Sequence, residues 1–110
     1  MSLDNAPILV MCWDAPTAHA LVNVISAARG DVVYAANTGE AMQRLQQFSL
    51  NAAVLCWQKG ADTVAAALQV KGVPFFMFGL PASGTAAIAN APVVTDMDQV
   101  VPVLGTLLMS

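Results

Sequence analysis

Ile8-Leu9-Val10-Met11 is a short, unbroken apolar run, closely followed by Asp14-Ala15-Pro16. A run without polar alternation suits a strand buried on both faces. Asp before Ala-Pro supplies a helix cap and helix-start chemistry. This strand-then-helix phrase repeats along the chain. Leu21, Val24, Ile25 and Ala28 fall at helical spacing, and Arg29-Gly30 closes that helix, with Gly expected at the left-handed stop. Val32-Val33-Tyr34-Ala35 reads as a second strand. Thr38-Gly39-Glu40 opens a second helix with Ala41, Met42, Leu45 and Phe48 on its core face.

Ala52 to Cys56 reads as the third strand, and Ala61 to Val70 as the third helix, ended near Lys71-Gly72. Phe75-Phe76-Met77-Phe78 is the fourth strand, with Pro74 at its start. Pro81 to Asn90 is the weakest helix, because Gly84 lies inside it. Pro92-Val93-Val94-Thr95 is the fifth strand. A last helix runs from about Asp98 to Leu108, turning Val100, Val101, Leu104, Leu107 and Leu108 inward. Pro102 falls in its first turns, where proline is tolerated. Strands alternating with helices imply an α/β fold: a doubly wound, five-stranded parallel sheet covered on both sides. The flavodoxin-like (βα)5 order 2-1-3-4-5 is the first choice. No repeat, linker or low-complexity tract divides residues 1–110, so one domain is expected.

Composition narrows the function. Among 110 residues, 57% are hydrophobic and only 10% charged. The charged share is far below the roughly 25% of an ordinary soluble domain. Disorder is excluded, since disordered chains are rich in charge and poor in apolar residues. No stretch gives about 18 continuous apolar residues, so no membrane span is expected. Met1 to Asn5 shows neither a basic nor an apolar leader segment, so a cytoplasmic location is expected. Met1 to Leu3 is assigned no role. The basic residues Arg29, Arg44, Lys59 and Lys71 are scattered on a chain of net charge -3, which disfavours nucleic-acid binding. Cys12 and Cys56 have no zinc-type spacing, and the chain lacks a glycine-rich phosphate loop. No metal, cofactor or catalytic residue is expected.

The chain resembles the receiver domain of bacterial response regulators over about residues 7–108. The resemblance is carried by Ile8-Leu9-Val10-Met11 with Pro16 following, Asn37-Thr38-Gly39-Glu40-Ala41, Asn51-Ala52-Ala53-Val54-Leu55 and Val73-Pro74-Phe75-Phe76. It implies an acidic, Mg²⁺-holding pair after the first strand; Cys12 and Trp13 stand there, with Asp14 one residue further on. It implies a phosphate-accepting Asp at the end of the third strand; Cys56 stands there. The fourth strand's phosphate-binding hydroxyl is replaced by Gly79. The Lys-Pro pair of the fifth strand is replaced by Asp96-Met97, and the switch aromatic by Val93. Mg²⁺ needs hard oxygen ligands, which a thiol and an indole do not supply. Aspartyl-phosphate formation needs a carboxylate, and Asp96 in place of a Lys repels phosphate. The pocket of Cys12, Trp13, Asp14, Cys56, Trp57, Gly79 and Asp96 therefore reads as degenerate. A receiver with a displaced acid set rests on Asp14 alone.

Sharper readings compete with plainer ones. Cys12 and Cys56 end neighbouring strands; they are a redox pair or, preferably, two buried small hydrophobes. Trp13 and Trp57 should line one mouth, and are expected to fill the emptied pocket rather than clamp a ligand. Asp14, Asp62, Asp96 and Asp98 read as caps and solvated residues, with Asp14 and Asp98 as the caps, rather than as a cation site. His19 is expected to be exposed. No charge occurs from Gly72 to Thr95, or after Asp98. The resemblance implies that the fourth helix, fifth strand and fifth helix pair with another receiver or an effector. Thr85, Ile88, Val93, Val103 and Met109 are the candidate interface residues. The expected function is thus a phosphorylation-independent pseudo-receiver that binds a protein partner or forms a homodimer. The alternative is a small-ligand or thiol-redox sensor at the strand ends.

Overall fold

The computed structural model describes residues 3–79 and 91–109. Five strands, β1 (Pro7–Met11), β2 (Asp31–Ala35), β3 (Ala52–Cys56), β4 (Phe75–Phe78) and β5 (Val93–Val94), form one sheet in the order β2-β1-β3-β4-β5. Every pairing is parallel. The connecting helices are α1 (Ala15–Ala27), α2 (Thr38–Gln47) and α3 (Ala61–Lys71). A 3₁₀ turn (Met97–Gln99) leads into α4 (Val100–Leu108). The helix expected over 81–90 lies outside the described residues. Among the described residues no helix is long and apolar enough to cross a membrane.

Side-chain alternation sorts the strands into two cores. Ile8, Val10, Cys12, Val54, Cys56 and Phe76 face α1 and α4, against Leu21, Ile25, Val100 and Leu104. Leu9, Met11, Leu55 and Met77 face α2 and α3, against Leu45, Val64 and Leu68. All of β3 is buried, as the central strand of a sheet covered on both faces must be. Each fully buried large side chain here stabilises the fold by about 1.5–3 kcal/mol.

Helix ends follow local chemistry, with three departures from the sequence reading. Asp14 caps α1 by accepting from the Thr17 amide. At the other end the left-handed residue is Arg29 (φ 66), not Gly30. Gly30 is needed for a different reason: a Cβ there would collide with Ile25 Cγ2 and crowd Leu3 Cδ1 at 3.1 Å. Leu3, given no role from sequence, is 2% exposed and belongs to the core. Phe48, expected in the core, is 47% exposed, because α2 ends at Gln47 and Phe48 is already extended. Asp96, not Asp98, is the cap before the last helix; its carboxylate accepts from the Asp98 amide at 3.0 Å. β5 is also shorter than expected, since Pro92 has no N–H to add to a ladder.

Candidate functional site at the carboxyl ends of the strands

The register aligns two thiols. β1 and β3 pair up to Met11 opposite Leu55, so the next residues, Cys12 and Cys56, follow in the same register. The Cys12 amide still donates to Ala35 O at 3.1 Å, which keeps its backbone on the ladder with β2. Both side chains point to the α1–α4 side, and both residues are buried, 1% and 6% exposed. The neighbouring Cys56 side chain lowers the Cys12 pKa to about 7 against the opposing effect of burial, and the Cys12 thiol donates to Asp14 O at 3.7 Å. The Cys12 side chain, with burial, pushes Cys56 well up.

Three loops close over this pair. The Trp13 amide donates to Gln58 Oε1 at 2.9 Å, and Gln58 Nε2 donates to Ala36 O at 3.2 Å. Gln58 thus ties the loops after β1, β2 and β3 together. Sequence reasoning did not single it out, because a glutamine two residues beyond a strand carries no pattern of its own. The Tyr34 hydroxyl donates to Cys12 O at 2.8 Å, and the Thr38 hydroxyl to Lys59 O at 3.1 Å. Partial burial, then the charges of Cys12, Glu40 and Cys56, keep the Tyr34 hydroxyl protonated above its ordinary range.

Trp13 and Trp57 do line one mouth, a shallow cleft of about 860 Å³ shared with Asn37, Thr38, Gln58 and Gly60. Only one indole fills space as expected. Trp57 is half-buried and donates from Nε1 to Gly79 O at 2.8 Å, whereas Trp13 is 66% exposed. Trp13 follows Cys12 out of the sheet, and its backbone rather than its ring is held by Gln58.

The acidic residues do not gather. Asp14 is committed to the α1 cap, where it also accepts from the Thr17 hydroxyl. Asp62 is exposed in the first turn of α3, and Asp96 and Asp98 are exposed in their own turn. Among the described residues no group of three or more His, Cys, Asp or Glu could hold a metal. His19 is exposed on α1. Of the interface candidates, Val93 is 48% and Met109 87% exposed, while Val103 packs against the α1–α4 core. Thr85 and Ile88 lie outside the described residues.

This sheet order, with its loops converging at the ends of β1 and β3, is the flavodoxin-like fold that receiver domains also have. Solved structures with the same architecture include a candidate response regulator from Chloroflexus aurantiacus, 20% identical over 96% of this chain and 98% of that one (TM-score 0.77). SdrG from Sphingomonas melonis is 23% identical over 98% of this chain and 99% of its own (TM-score 0.71). The pseudo-receiver domain of the CikA protein is 15% identical over 93% of this chain and 96% of its own (TM-score 0.70). At these identities the likeness is one of fold. No protein-family model matches the chain, and no curated protein matches it in sequence.

Proposed function

We propose that the chain is a pseudo-receiver domain: a phosphorylation-independent protein-interaction domain of bacterial signal transduction, working in the cytoplasm without catalysis. The observation that carries this reading is the occupancy of the strand ends. Where the resemblance implies a carboxylate nucleophile and its Mg²⁺ ligands, the chain has two buried thiols inside an apolar cluster. The nearest carboxylate, Asp14, is spent on the α1 cap. A thiol pair in one apolar cluster with Val10, Phe76 and Val94 offers neither hard oxygen ligands nor an acyl acceptor for phosphate.

The interaction face of this reading is the uncharged surface of β5 and the C-terminal helix, with Val93 and Met109 exposed on it. A protein partner or a second copy of the chain is its occupant. Titration of Mg²⁺, and then Mg²⁺ with beryllofluoride, against tryptophan fluorescence tests the loss of phosphate chemistry. Trp13 and Trp57 flank the thiols, so binding there would change the signal. A flat response is expected; a saturable one overturns the reading. Sedimentation velocity over a range of concentrations tests self-association, with an association constant expected to weaken on Val93→Asp. A thiol-based sensor is the second reading, favoured by the facing sulfurs of Cys12 and Cys56.

A further inference from the structure

We propose that Cys12 and Cys56 are a peroxide-oxidisable dithiol that closes to an intramolecular disulfide across the carboxyl ends of β1 and β3. The inference stands apart from the docking reading, since the thiol chemistry and the β5–α4 face are tested by different measurements.

Geometry comes first. Residues facing each other on neighbouring strands are about 4.8 Å apart. A disulfide requires Cα atoms roughly 4.4–6.8 Å apart. The β1–β3 register, extended by one residue, therefore places Cys12 and Cys56 within reach. Both side chains leave the same face of the sheet into one cluster, so no strand has to turn over. Cys56 is the last residue of β3 and Cys12 lies just beyond β1.

Access comes second. The pair is buried but shallow: Cys12 is followed directly by Trp13, 66% exposed, and its Sγ lies 3.7 Å from Asp14 O. Displacing the Trp13–Asp14 loop would open a path for a small oxidant while larger disulfide reagents stay out. This argues for a low-molecular-weight hydroperoxide as the oxidant class.

The roles of the two sulfurs differ. Cys12 is the sulfur with the lowered pKa and the one beside the exposed Trp13 loop, so it supplies the attacking thiolate. The Cys12 thiolate attacks one peroxide oxygen, the O–O bond breaks, and hydroxide leaves. That hydroxide takes up the proton Cys12 released on ionising, giving water, and Cys12 becomes a sulfenic acid. The Cys56 sulfur then attacks the sulfenic sulfur. The S–S bond forms, the S–O bond breaks, and the departing hydroxide leaves as water with the Cys56 proton. Two thiols lose two electrons and two protons, and one hydrogen peroxide becomes two waters.

The test is peptide mapping of the folded chain after hydrogen peroxide, with remaining thiols alkylated in denaturant. The expected result is loss of both thiols together and a Cys12–Cys56 cross-linked peptide within one chain, reversed by dithiothreitol. In Cys56→Ser, Cys12 should be trapped by dimedone as a sulfenic acid. In Cys12→Ser, Cys56 should react at least about tenfold more slowly than Cys12 does in the unsubstituted chain, because burial still pushes its thiol up. Both thiols remaining alkylatable, at peroxide doses that oxidise an unfolded control, would overturn the proposal. Separate oxidation to sulfinic acids, or disulfides only between chains, would overturn it equally. The mapping uses the unsubstituted chain, so its outcome does not depend on whether either variant folds.

Discussion

The indole N–H of Trp57 donates to the Gly79 carbonyl at 2.8 Å, joining the loop after β3 to the end of β4 across the rim of the strand-end cleft. The bond is partly buried, and Gly79 holds a left-handed backbone (φ 94) at that point. Trp57→Phe keeps most of the apolar contact and removes the donor. It should destabilise the fold by about 1 kcal/mol, the usual net value of such a bond. Urea unfolding checks this, with the slope expected to stay unchanged.

Gly60 supports the cleft from below. It precedes α3 with φ 86, and a Cβ there would collide with Thr38 Oγ1. Gly60→Ala combines backbone strain with a clash at the α2 start, and should destabilise by about 1–3 kcal/mol. Removing the hydroxyl in Gly60→Ala/Thr38→Ala should restore part of that loss, but not all, because the left-handed backbone remains. Thermal melts of the two variants separate the contributions.

Asp14 distinguishes a cap from a metal ligand. Its carboxylate accepts from the Thr17 amide at 3.2 Å. Asp14→Ala should therefore destabilise the domain by about 1 kcal/mol, the ordinary value of an N-cap. Adding Mg²⁺ should not change the melting temperature of either form. A Mg²⁺-dependent rise in the unsubstituted chain that vanishes in Asp14→Ala would assign the residue to a cation instead.

The thiol pair predicts a pH dependence. Cys12 is lowered from 9.0 to about 7 by the neighbouring Cys56 side chain. The lowered Cys12 value adds stability that is lost as pH falls through about 7, while the raised Cys56 value takes stability away as pH rises past the ordinary thiol range. The ionisable groups facing Cys12 are Cys56, which supports its thiolate, and the Asp14 carboxylate, which opposes it; the Tyr34 hydroxyl is bonded to its carbonyl. Ultraviolet thiolate absorbance should show one ionisation near pH 7, absent in Cys12→Ser, while Cys56 stays protonated. Peroxide oxidation should accelerate through the same pH range and then level off.

Much of the architecture was legible in the chain itself. The unbroken run Ile8 to Met11, the buried Ala52 to Cys56 and the aromatic Phe75 to Phe78 each announce a strand covered on both faces, because burial on two sides tolerates no polar alternation. Strand and helix in turn, with one handedness of crossover, leave few sheet orders. Asp14 and Asn37 announce their helices because a cap acts on residues two or three places away. That Cys12, Trp13 and Cys56 stand where the resemblance implies acidic residues is likewise visible in the chain alone, since it concerns residue identity only.

What only the tertiary structure decided depends on partners distant in the chain. Leu3 is a core residue because α1 ends beside it, and Gly30 is required because Ile25 and Leu3 crowd its Cα. Phe48 turns outward because α2 stops one residue earlier than periodicity suggests. Gln58 matters through an amide 45 residues away, and Trp13 stands in solvent while Trp57 is anchored to Gly79. The facing of Cys12 and Cys56 is of the same kind. Periodicity reports which residues share a face of one element, because neighbours in sequence set it. Register between strands, and the hydrogen bonds that cross loops, are set by packing of the whole sheet, and only the folded chain brings those groups together.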